Sequence, residues 1–128
     1  MQELRQYFKQ TKGNGVLITS DRHGQVDAIT YPKPIIDQND YLVFITQDPL
    51  VYQNLSHNPQ AMFVFLEYFQ PNKGLRLKLL KSHEENETAI QYSMQSQNFS
   101  KKQSEIKHII SFHLQDKLPL FDRTDKEI

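Results

Sequence analysis

The stretch that decides the fold is DYLVFITQDPLVYQNLSHNPQAMFVF, residues 40 to 65. It opens with a continuously apolar run, Tyr41 to Thr46, of the length and composition of a buried strand. Asp48-Pro49 then has the form of a helix start, with Asp48 as cap and Pro49 at the first helical position. Asn58-Pro59 ends that helix, because the residue before a proline is pushed out of the helical region. A second apolar strand, Ala61 to Tyr68, follows at once. A strand, a short helix over 49–57 and a strand form a natural phosphate cradle, since backbone N–H groups converge at the helix start. Yet Leu50 and Val51, the residues at that start, are apolar.

The flanks extend the pattern. Leu4, Tyr7 and Phe8 share one helical face, which predicts a helix over 2–11, ended by Lys12-Gly13-Asn14-Gly15. Gly15–Ser20 reads as a strand, Asp21–Gly24 as a turn, and Gln25–Tyr31 as the second arm of a hairpin. Pro32 and Pro34 bar a central strand there, so Ile35-Ile36 continues the arm only weakly. Asp37–Asp40 is a second turn, and Phe69–Lys73 a third. From Gly74 to Lys81 the residues alternate, Leu75, Leu77 and Leu79 against Arg76 and Lys78. Ser82-His83-Glu84-Glu85 has the form of a capping box and predicts a helix over about 83–97. A polar linker (99–105) and a last strand (106–114) lead to a tail, 115–128. The sum is a mainly β single domain, residues 1–128: a six-stranded antiparallel barrel with short flanking helices.

Composition narrows the function classes. Lys+Arg and Asp+Glu balance at 15 each, so there is no basic field of the kind a nucleic-acid binder carries. Without cysteine there are no disulfides, thiolate metal sites or Cys nucleophiles. No apolar run approaches the roughly 18 residues of a membrane span. MQELRQYFKQ is an amphipathic start that carries acid, unlike a secretory signal. The expected location is cytoplasmic, with no nucleic-acid or membrane partner. No Gly-x-Ser-x-Gly elbow, GxGxxG or Walker loop is present. His108 and His113, five apart on a strand, point to opposite faces, and no histidine pair has zinc spacing with a third ligand, so no metal site is expected. Glu84, Glu85 and Glu87 suit a helix start on electrostatic grounds and need no catalytic role. Asn98-Phe99-Ser100 fits a glycosylation sequon that a cytoplasmic chain never exposes to that machinery. The continuously apolar strands need cover on both faces, which predicts a homodimer.

The order of elements resembles the pyridoxamine 5′-phosphate oxidase-like, FMN-binding split-barrel family. GVLITSDRHGQVDAITYP looks like its opening hairpin, the 40–65 stretch with Asn54-Leu55-x-x-Asn58-Pro59 like its central strand, helix and strand, and KGLRLKL like its following strand. The likeness covers about residues 3 to 114. It implies a split β-barrel homodimer with FMN at the dimer interface. The flavin phosphate would be held by the second strand, the end of the central strand and the start of the short helix. Leu50 and Val51 stand where the family's basic pair precedes Asn-Leu-x-x-Asn-Pro, Asp27 would repel a phosphate, and Leu79-Leu80 replaces a glycine. The remaining candidates are Thr46, Thr30, Lys33 and Arg76 for the phosphate, with Thr30 and Tyr31 along the flavin ring. Each has a plainer reading: Thr46 satisfies a local N–H, Tyr31 packs the hairpin, and Arg76 and Lys78 form a solvated strand face.

Two functions follow from the resemblance. One is an FMN-binding, flavin-dependent oxidoreductase-like protein. The other is a non-enzymatic split-barrel dimer that has lost FMN and serves as a small-molecule-binding or regulatory module. A haem-handling relative is a third, requiring His57 or His113 as ligand. Oxidation of pyridoxamine phosphate itself is not expected, because the family's C-terminal substrate-binding segment is not recognisable.

Overall fold

A computed structural model describes residues 1–70, 72–86 and 106–121, with Asn86 described by its backbone alone. The order is α1 (Gln2–Gln10), β1 (Gly13–Ser20), β2 (Val26–Tyr31), β3 (Ile35–Ile36), β4 (Leu42–Thr46), α2 (Pro49–His57), β5 (Gln60–Glu67), β6 (Gly74–Asn86) and β7 (His108–Pro119). All seven strands join one antiparallel sheet in the order β2-β1-β5-β6-β7-β4-β3.

That order places β2 and β3 at opposite edges, although only Pro32, Lys33 and Pro34 separate them in sequence. Six strand spacings in a flat sheet would part the edges by about 29 Å. The link from Tyr31 to Ile35 spans at most about 14 Å. The sheet must therefore curl until its edges face each other, and it does: the Tyr31 hydroxyl on β2 donates to the Ile45 carbonyl on β4, at 3.3 Å. The two prolines have a positive role here. They end β2 and send the chain across the seam instead of along the same strand. Ile35-Ile36 accordingly pairs with Leu42 and Val43, a separate seventh strand where six were expected.

The inward row of each strand fills the barrel. Leu17, Leu42, Phe44, Phe63, Phe65, Leu77, Leu79, Ile110 and Phe112 are all at most 3 % exposed. Phe44 lies 5.2 Å from Phe63 and 5.5 Å from Phe112, ring centre to ring centre, both edge-on. Helix α1 closes one flank through Leu4 and Phe8, the latter 5.3 Å from Phe65. Gly15 lets β1 pass this aromatic cluster, since a Cβ there would lie 2.2 Å from the Phe63 ring and 2.7 Å from the Tyr31 carbonyl oxygen.

The expected helix over 83–97 is not a helix at its start. β6 runs on through Asn86, and His83, Glu84, Glu85 and Asn86 pair with Ser111, Ile110, Ile109 and His108. The Ser82 hydroxyl meets His83 Nδ1 instead of capping a helix. Pairing with β7 takes up backbone groups that a first helical turn would have used, and tertiary context overrides the local signal. The remainder of that expected helix, and the linker after it, lie outside the described residues. Residues 115–119, expected as tail, continue β7.

Helix α2 matches its sequence boundaries and crosses the barrel end from β4 to β5. Val51 and Leu55 turn inward, at 0 % and 2 % exposure. Asn54 Nδ2 donates to the buried Thr19 hydroxyl at 3.1 Å, and Asn58 Nδ2 to the Ser20 hydroxyl at 2.8 Å. The Asn58 N–H caps onto the Asn54 carbonyl, and its side-chain oxygen accepts from Gln60 N–H. The Asn-Leu-x-x-Asn-Pro element thus clamps the helix to β1.

Replacing Asn54 by Ala strands the Thr19 hydroxyl in the interior and should cost about 1–3 kcal/mol in urea unfolding. Gly15→Ala should cost a similar about 1–3 kcal/mol by overpacking against Phe63. A loss under a few tenths in both would contradict the clamp and the close passage.

Candidate functional site

Thr46 ends β4, buried, and its Oγ1 accepts the Asp48 N–H at 3.0 Å. Asp48 then caps α2, its carboxylate accepting from Leu50 N–H at 2.9 Å. The N–H groups of Val51 and Tyr52 both turn to the Asp48 carbonyl, at 3.2 and 3.5 Å. Pro49 has no N–H to offer. Every donor of the helix start therefore has an acceptor, and one acceptor is an anion. A phosphate dianion needs free N–H groups and cations. This helix start does not fit one as it stands.

The expected cations are engaged elsewhere. Lys33 Nζ donates to the Phe8 and Thr11 carbonyls, at 2.7 and 2.9 Å, where its charge complements the C-terminal end of α1. Arg76 Nε donates to the Pro119 carbonyl at 2.8 Å and its Nη2 reaches the Phe121 carbonyl at 3.5 Å, so it braces the end of β7. Thr30 is exposed on edge strand β2. Tyr31 and Thr46 do come together at the seam. Burial raises the Tyr31 phenol above its ordinary value; a hydrogen bond with the Thr46 hydroxyl pulls against this, and the Asp48 carboxylate adds to it. Of the five expected residues, the structure brings these two together and disperses the others. Leu50 is half-exposed and Val51 is in the core.

A second polar cluster has no local signature in the sequence. Lys81 Nζ donates to Glu84 Oε1 at 2.9 Å, and Glu84 Oε2 meets His108 Nδ1 at 2.6 Å. The His108 ring stacks on Tyr52 of α2, with centres 3.6 Å apart and planes at 19°. His108 is 8 % exposed, and its Nε2 is buried without a hydrogen-bond partner. Burial pushes the Glu84 carboxyl up, but hydrogen bonds and charges from Lys81 and His108 outweigh it and hold the group below its ordinary value. Lys81 and Glu84 lie three apart on β6, and only the β6–β7 register brings His108 to them, which is why spacing along the chain does not reveal the cluster. His113 and His57 are both exposed, and His113 packs near Tyr41 at 5.0 Å. Among the described residues, no three His, Cys, Asp or Glu side chains are grouped so as to hold a metal.

The outer face of the sheet carries an apolar stripe. Cross-strand rows run Val16–Val64 and Ile18–Met62, all four partly exposed, and Leu66 continues the stripe at 36 % exposure. A groove of about 460 Å³ opens at one end of it, bordered by Ser20, Asn58, Met62, Lys78 and Gln115.

No family model matches the sequence, and neither does any curated protein. Solved structures do match in fold. An FMN-binding protein from Syntrophomonas wolfei aligns with TM-score 0.63 at 16% identity, over 94% of this chain and 86% of that one. A Listeria innocua protein assigned as a pyridoxamine 5′-phosphate oxidase aligns at 0.61 and 17%, over 93% and 96%. The haem storage protein HutZ of Vibrio cholerae aligns at 0.54 and 16%, over 92% and 93%. The chain shares the split-barrel fold of these structures. No helix among the described residues is long and apolar enough to cross a membrane.

A lowered folded-state value means that Glu84 contributes stability above the ordinary carboxyl range, and that this contribution fades as pH falls through the folded value. The gap in urea midpoint between wild type and Glu84→Gln should therefore be steady near neutrality and shrink below about pH 4.3. A gap that widens on acidification would reverse the assignment.

Proposed function

We propose that this chain is a homodimeric split-barrel binding or regulatory module that does not grip FMN by its phosphate. The carrying observation is the start of α2. Its N–H groups are consumed by Asp48, Val51 is a core residue, and Lys33 and Arg76 hold backbone carbonyls instead of facing the helix. Bringing a dianion here would mean displacing the Asp48 carboxylate or burying two negative charges side by side.

The second reading is an FMN-dependent oxidoreductase-like protein, favoured by the fold it shares with an FMN-binding protein and by the Tyr31–Thr46 pair at the seam. In that reading Tyr31, Thr46 and Thr30 would line the ring and ribityl chain, and the flavin would supply the electron chemistry. The dimer belongs to both readings. Val16, Ile18, Met62, Val64 and Leu66 form an apolar face that a twofold copy would cover, with a small ligand held where the copies meet.

The deciding experiment is the visible spectrum of purified protein before and after incubation with FMN and desalting. The binding-module reading expects no retained flavin bands, and expects Asp48→Asn, which keeps the cap but removes the charge, to tighten FMN binding measurably. Retained flavin in the wild type would overturn it in favour of the oxidoreductase reading. Light scattering should give twice the 15.1 kDa chain mass for wild type and the single mass for Val64→Asp. A monomeric wild type at micromolar concentration would refute the dimer.

A further inference from the structure

The groove on the outer face of the sheet holds a single charge. An outward row, Ile18, Met62 and Lys78, crosses β1, β5 and β6 in register. The groove lies along this row, with Ser20 and Asn58 at one side and Gln115 at another. Its volume of about 460 Å³ is that of a small-molecule site. Two local devices shape it. Asn58, which follows α2, is fixed on both sides of its amide: Nδ2 donates to the Ser20 hydroxyl and Oδ1 accepts from Gln60 N–H. Across from it, the β6–β7 register shifts. Lys78 pairs with Asp116 and Leu79 with Leu114, which leaves Gln115 as the extra residue of a bulge. Bulges re-aim side chains. Here Gln115 lines the groove and Asp116 does not.

Lys78 is the one charged residue of the lining. Arg76, two residues earlier on the same face, is tied to the Pro119 and Phe121 carbonyls. Lys78 is exposed and makes no hydrogen bond or ion pair with the described residues, Asp116 included. Around it the lining is neutral: amides and hydroxyls on the rim, and Ile18, Ala61 and Met62 along the row. We propose that this groove binds an organic monocarboxylate with an apolar body. Lys78 Nζ donates to one carboxylate oxygen, the Gln115 amide donates to the other, and the body lies on Ile18, Ala61 and Met62. One cation matches one negative charge; a phosphate dianion would need more. The inference names the ligand class for the binding-module reading and rests on it. Ile18 and Met62 also belong to the face that a twofold copy would cover, so the groove opens at the margin of that face, but its lining comes from one chain.

The test is calorimetric titration of the full chain with octanoate, alongside amide NMR shifts. Octanoate should bind, with shifts gathered at residues 18–20, 58–62, 78 and 115. Octanol and octylammonium, which keep the apolar body but not the negative charge, should bind roughly tenfold more weakly. Lys78→Gln should lose the same factor, and Lys78→Arg should restore it. Lys78 is exposed, so neither change disturbs the core. Lys117→Gln, at an exposed β7 lysine outside this groove, should match wild type. Octanol binding as well as octanoate, unchanged affinity in Lys78→Gln, or shifts elsewhere overturns the proposal. A flavin-free dimer that ignores octanoate overturns this inference and leaves the binding-module reading standing. A monomer that binds octanoate at these residues upholds the groove and refutes only the dimer. Retained FMN that octanoate displaces overturns both.

Discussion

The structure turns on a length constraint. Three residues, Pro32 to Pro34, must join the two outermost strands of a seven-stranded sheet. No flat or gently twisted sheet permits this, so the barrel is a consequence of connectivity before it is a consequence of packing. Once the edges meet, the inward rows face one another, and the rings of Phe44, Phe63, Phe65 and Phe112 fill the interior, with Phe44 edge-on to Phe63 and Phe112. The seam needs little else to mark it than the Tyr31 hydroxyl on the Ile45 carbonyl.

Closure leaves an open end, and α2 is used to stop it. That use explains the chemistry of the helix start. A helix that plugs a barrel must point apolar side chains inward, and Val51 and Leu55 do so. It must also satisfy its own first N–H groups, and Asp48 does this with its carboxylate and carbonyl. The same positions on a helix that bound phosphate would need the opposite: free N–H groups and outward cations. Plug and phosphate grip compete for one turn of helix, and here the plug has it.

Much of this was legible in the chain. The boundaries of α2 follow from Asp48-Pro49 and Asn58-Pro59, because caps and prolines act through their own backbone geometry. The hairpin, the buried row of β4 and the alternation of β6 follow from periodicity. The polar cluster was not legible. His108 reaches the Lys81–Glu84 pair only through the β6–β7 register, and Glu84 sits in a segment whose capping-box pattern points to a helix. Likewise Thr46 was readable as a strand end, but not the seam that sets Tyr31 beside it. Lys33 was readable as a cation, but not as the partner of the α1 carbonyls.

The sequence by itself determined the local elements, the apolar rows and the place of the short helix, since each depends on residues within one turn or one strand of each other. Only the tertiary structure decided where β3 pairs, that β6 outruns its helix signal, and which polar groups have partners. Those outcomes depend on contacts between residues far apart in sequence, where a paired backbone or a buried charge weighs more than any local preference.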